Sequence, residues 1–264
     1  MKNLKFKTLL ILSLSLLLIN SGCKKDKEPA PEIPPETTFN INFSDFDNSN
    51  KLALDSVTND NWTWAATNVA VWNTIITINL AIPVAAFKEA FNHQGEYQND
   101  GSWIWSYNFG TTGYSAKLKA KEDGGYINWY MYISKSGTYT DFLWYSGKSK
   151  TDNSEGTWTL YQNPTTPNEY VDIQWHRNTT AGTSDIKFTN AIPGGSENGG
   201  YILYKIDPSQ TLDAFYDIYN KGQDNLTNIN WSRTTKEGKI KDPAHFGDND
   251  WHCWNSSLID TTCN

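Results

Sequence analysis

Residues 126–133 read Tyr-Ile-Asn-Trp-Tyr-Met-Tyr-Ile, and this stretch decides the fold. Ile127, Trp129, Met131 and Ile133 alternate with Tyr126, Asn128, Tyr130 and Tyr132. Side chains two residues apart share one face of a strand, so one face here is apolar and the other rich in tyrosine. The same period extends outward in both directions. Upstream, Tyr114, Ala116, Leu118 and Ala120 alternate with Ser115, Lys117, Lys119 and Lys121, and Trp103, Trp105, Tyr107 and Phe109 alternate with Ser102, Ser106 and Asn108. Ile76, Ile78, Leu80 and Ile82 follow the same rule and are read as a strand. Downstream, Val171, Ile173 and Trp175 alternate with Asp172, Gln174 and His176.

Turn signals such as Asp123-Gly124-Gly125, Ser136-Gly137 and Asn198-Gly199-Gly200 separate these segments. The short spacing predicts hairpins, in which neighbours in sequence pair antiparallel. One helix is expected over 83–94: Pro83 suits a first turn, Val84, Phe87 and Phe91 share a side, and Gly95 is the stop. Residues 208–221 fit either a helix or a strand, with strand preferred. A loose aromatic repeat (Ile-x-Trp at 127–129, 173–175 and 229–231) recurs at uneven steps of 46 and 56 residues, which argues against a solenoid. The prediction is a mainly β chain: a single antiparallel meander sheet, a curved half-barrel or a wide barrel, of about eleven strands with one short α-helix.

The first 22 residues read differently. Lys2, Lys5 and Lys7 precede an apolar run from Leu9 to Ile19, and Ser21 and Gly22 lead to Cys23. That run is too short for a transmembrane helix, which takes about 20 residues, and fits the h-region of a signal peptide. Ser-Gly-Cys-Lys-Lys-Asp-Lys-Glu (21–28) resembles the start of envelope lipoproteins of Bacteroidota-type bacteria, although Asn20 stands where their lipobox has Leu. The resemblance implies cleavage before Cys23, a diacylglycerol on its sulfur with palmitate as a fatty acid of the lipid, and attachment to the cell envelope. Lys24 after the cysteine favours the outer membrane, on either its periplasmic or its cell-surface face. Residues 23–38, with Pro29, Pro31, Pro34 and Pro35, are expected to form a tether, and 39–264 the β domain.

The net charge is −7, and removing the three signal-peptide lysines brings the mature chain to −10. Such a chain repels phosphate backbones, so nucleic acid is not an expected partner. With Cys23 lipidated, Cys253 and Cys263 remain, and export favours a disulfide between them.

Candidate sites are few. Tyr126, Tyr130 and Tyr132 form one face, to which Tyr161 and Tyr170 are candidate additions. Such a surface stacks on sugar rings, lines a wet ligand groove or packs under a helix. His245, Asp248, Asp250 and His252 are metal-ligand types, but their spacing matches no metal-site pattern; they read as a polar turn, and no metal or other cofactor is expected. Asp45, Asp47 and Ser49 start a calcium-loop-like run that lacks the required Gly and Glu, since Asn50 and Ser56 stand there. Asp55-Ser56-Val57 and Asp260-Thr261-Thr262 resemble an O-glycosylation signal of the same bacteria. No nucleophile elbow, zinc-hydrolase or phosphate-loop motif occurs. The functional expectation is a non-catalytic, membrane-anchored binding domain with glycan as first ligand. The alternatives are a carrier holding an apolar molecule between sheet and helix, or a hydrolase built on carboxylates such as Glu89 and Glu155.

Overall fold

The computed structural model describes residues 29–41, 43, 46, 58–110 and 113–263. The signal segment, Cys23, the first part of the expected tether, the calcium-loop candidates Asp45, Asp47, Ser49, Asn50 and Ser56, and the Asp55-Ser56-Val57 signal lie outside them. The compact unit starts at Pro31, so packed chain begins earlier than the expected boundary at 39. Ile33 and Pro34 are already buried, and Glu36–Thr38 forms a 3-10 turn.

The sheet has fourteen strands in strict sequence order: β1 (Glu96–Tyr97), β2 (Trp103–Phe109), β3 (Tyr114–Asp123), β4 (Tyr126–Lys135), β5 (Tyr139–Lys150), β6 (Glu155–Asn163), β7 (Thr166–Asn178), β8 (Thr183–Asn190), β9 (Tyr201–Ile206), β10 (Ala214–Asn220), β11 (Asn225–Trp231), β12 (Gly238–Lys241), β13 (His252–Trp254) and β14 (Asp260–Thr261). Each strand pairs antiparallel with the next, and β1 and β14 remain edges, so the meander is open. This is the expected fold class with more strands than the estimate of about eleven. Residues 214–220 are strand, as preferred.

Register aligns the apolar positions into rows across the sheet. One row runs Ala120, Trp129, Gly147, Trp158, Ile173, Phe188, Ile202 and Ile218. Every member except half-buried Gly147 is buried. The five largest buried indoles each face a small residue on the preceding strand: Ala120 opposite Trp129, Gly147 opposite Trp158, Gly156 opposite Trp175, Ala214 opposite Trp231 and Gly238 opposite Trp254. A β-carbon on Gly156 would lie 2.5 Å from the Trp175 ring, so the indole lies in the space a side chain would occupy.

Two helices and the N-terminal segment cover this face. The strand expected at 76–82 is instead helix: α1 (Asp60–Asn79) is followed by α2 (Ala81–Ala90). The β-branched run Ile75-Ile76-Thr77-Ile78 has strand propensity, and tertiary packing overrides it. The two axes bend by 69° at Leu80. Pro83 supplies the reason: it has no N–H for the Asn79 carbonyl, and its ring opposes a continuous helix there. The expected helix over 83–94 is thus present as α2, two residues earlier and with a longer partner before it. Phe39 stacks on Phe87 of α2 (4.9 Å between ring centroids) and meets Tyr145 (4.7 Å), while Phe46 packs edge-on to Trp231 (4.9 Å).

Candidate functional site

α1 is held at its start by the end of the chain. Its first backbone N–H groups, which have no helical partner, are those of Asp60 and Asn61, and both donate to the Asp260 carboxylate of β14 at 3.1 Å. Negative charge there also suits the helix dipole. The Asn61 side chain donates to the Cys253 carbonyl (3.0 Å). Cys253 and Cys263 form the expected disulfide (S–S 2.01 Å), which fixes the β13–β14 hairpin under the helix.

Further along, α1 is tied to the sheet by Asp242. This buried carboxylate accepts from Trp64 Nε1 (2.8 Å), Asn225 Nδ2 (2.8 Å) and Thr227 Oγ1 (2.9 Å). It also caps the short helix α3 (Pro243–Phe246) by accepting from the His245 N–H at 3.2 Å. Burial works against its charge, and the four hydrogen bonds overcome that penalty, holding the carboxyl below the usual carboxylate range.

Beyond these anchors a groove of about 850 Å³ lies between α1 and residues of β7, β8, β10 and β11. Val71, Trp72, Ile75 and Leu80 line the helix side, and Val171, Phe188 and Ile218 the sheet side. Polar side chains also line it, among them Asn68, Asn190, Asn225, Glu197 and His245. The volume matches small-molecule sites, and the lining is mixed, with apolar walls and many amide and hydroxyl side chains, Thr67, Asn79, Thr189 and Asn220 among them.

The sequence candidates separate onto different surfaces. Tyr126, Tyr130 and Tyr132 lie on the face opposite the buried row, half-buried or just exposed. Tyr126 is already engaged: its hydroxyl donates to Glu155 (3.1 Å), and the Lys148 ammonium sits 4.6 Å from its ring centroid. Tyr161 stands where β6 and β7 shift register, paired with Glu169. Tyr170 sits in the same irregularity but lines the groove, so the five tyrosines do not form one surface.

The histidine–aspartate cluster also divides. His245 stacks on Trp64 (3.9 Å) at the groove, whereas His252 pairs with Asp248 (3.1 Å) and stacks on Phe246 (3.7 Å). Asp250 enters through its backbone N–H, which donates to Asp248 at 3.0 Å. Among the described residues, no three His, Cys, Asp or Glu side chains converge as a metal site.

Sequence reading misses the groove residues on α1 because Leu80 falls in the strand expected at 76–82, and Val71 and Ile75 fall in no expected element. A 3–4 spacing over Asn68, Val71, Trp72, Ile75 and Asn79 was the available signal. No protein-family model matches the chain, and no curated protein or solved structure matches it either.

Proposed function

We propose that this chain is an envelope lipoprotein, held to a membrane by lipid on Cys23, whose domain binds an apolar small molecule without transforming it. The observation that carries the reading is the groove between α1 and the sheet, walled by Val71, Trp72, Ile75, Val171, Phe188 and Ile218. It supports the carrier reading over a glycan platform, because the outer tyrosine face is partly occupied by Lys148 and Glu155. Two of the groove's titratable side chains are already engaged, which favours binding over catalysis: Asp242 holds four donors and His245 stacks on the Trp64 ring.

A titration with cis-parinaric acid, a fluorescent polyene fatty acid, tests this. Wild-type protein should bind it, and Val71→Glu should weaken binding at least about tenfold by setting a carboxylate in the apolar wall. Val71 is 53% exposed, so folding tolerates the change. Tyr130→Ala, on the other face, should leave binding unchanged. Equal binding by wild type and Val71→Glu, or polysaccharide binding lost in Tyr130→Ala, would contradict the groove assignment. For the anchor, radiolabelled palmitate should enter the wild-type chain and not Cys23→Ser; no label in either refutes it.

A further inference from the structure

Charged residues make up 19% of the chain, yet residues 61–87 contain none. This stretch is nearly all of α1 and most of α2. Burial does not account for it. Val71, Ile75 and Ile78 are 53%, 40% and 70% exposed, and their spacing of four and three residues places them on one stripe of α1. Polar neighbours do little to interrupt it. The Thr74 hydroxyl donates to the Ala70 carbonyl (2.9 Å) and the Asn79 amide to the Ile75 carbonyl (2.7 Å), so their donors are turned onto the helix itself. Among the described residues, no single helix is long and apolar enough to cross a bilayer.

The place where the chain enters the fold adds a second observation. Lys88 of α2 pairs with Glu36 at 2.7 Å, and Phe39 stacks on Phe87, so the first folded turn lies beside α2, the element that continues α1. The compact unit begins at Pro31, eight residues after Cys23. Eight residues reach at most about 29 Å when fully extended.

We propose that the Val71–Ile75–Ile78 stripe of α1 docks on the surface of the bilayer that holds Cys23, with its apolar side chains at the headgroup–acyl boundary. This rests on the proposed lipid anchor, whose short reach keeps the domain at the membrane. Val71 and Ile75 also line the groove, so docking sets this wall of the groove beside a reservoir of apolar molecules. With no basic residue in 61–87 and a mature charge near −10, the contact suits zwitterionic lipid and is insensitive to salt.

The test uses the mature lipidated protein in phosphatidylcholine vesicles, with a bimane label on Ile78→Cys, a position that does not line the groove, or on Tyr130→Cys. Doxyl-labelled lipid should quench the label at 78 and not at 130. The unlipidated Cys23→Ser chain should float with the same vesicles, and adding Ile78→Asp should lower its bound fraction about tenfold, since one interfacial isoleucine is worth at least that in partitioning. Protein that floats through its lipid but shows no quenching at 78 overturns docking and leaves the anchor standing. Quenching at 78 in a chain that takes up no palmitate refutes the anchor and supports the contact. A label at 78 shielded without vesicles, in a protein with the mass of a dimer, assigns the stripe to a second copy and also overturns docking.

Discussion

Each of the five most deeply buried tryptophans lies opposite a glycine or an alanine, and this pairing is the residue-scale logic of the sheet. The alternation at 126–133 is visible in sequence because it is local. The match between Gly156 and Trp175 is not, because it exists only once register places residues nineteen apart opposite each other. Gly156→Ala should therefore destabilise the protein by about 1–3 kcal/mol, the usual cost of overpacking, measured by urea unfolding; an unchanged midpoint would show that the indole moves aside freely. Asp242 gives a pH signature. Its folded-state carboxyl titrates below the ordinary value, so its contribution is intact above about pH 5 and is lost as pH falls through the unfolded carboxylate range toward the lower folded value. Asp242→Asn should lower stability at pH 7 by about 1–3 kcal/mol, because the amide cannot accept all four donors. It should also flatten the fall in Tm between pH 5 and pH 3; an equally steep fall would place the acid sensitivity elsewhere.

At the scale of elements, the strands and the disulfide were legible and α1 was not. Strand signals are short and repeat wherever one face is buried, and thirteen of the fourteen strands lie in the alternating, glycine-punctuated region after residue 100. α1 carries Thr, Val and Ile at high density, so its residues alternate as a strand would, and only packing against the sheet makes it helical. Pro83 marks the break between α1 and α2, although in sequence it reads as a helix start. The Cys253–Cys263 bridge closes a loop with a sequence separation of 10, a constraint of roughly 2.5–3 kcal/mol in the chain-entropy model. The β13–β14 hairpin it fixes caps α1 through Asp260, so its loss should be felt at the groove. Replacing both cysteines by serine should lower Tm and weaken cis-parinaric acid binding together; lower stability with unchanged affinity would show that α1 holds its position without the staple.

Over the whole molecule, one open sheet supplies a continuous apolar face, and its covering is uneven. The N-terminal segment fills that face with Phe39, Phe43 and Phe46, α2 packs near β2, and the start of α1 packs near β12–β14. What is left between α1 and residues of β7, β8, β10 and β11 is the groove. Sequence reading anticipated a molecule held between sheet and helix as one option and ranked the tyrosine face above it. Faces of a strand are readable, but the space left between a helix and the sheet depends on where the helix is anchored, here by Asp260 and Asp242. The central claim is that this space holds an apolar ligand. The most direct measurement is a crystal of the protein soaked with a terminally brominated fatty acid and examined at the bromine absorption edge. The account predicts an anomalous peak between Val71, Phe188 and Ile218; bromine found only outside the groove, in crystals saturated with the ligand, would contradict it.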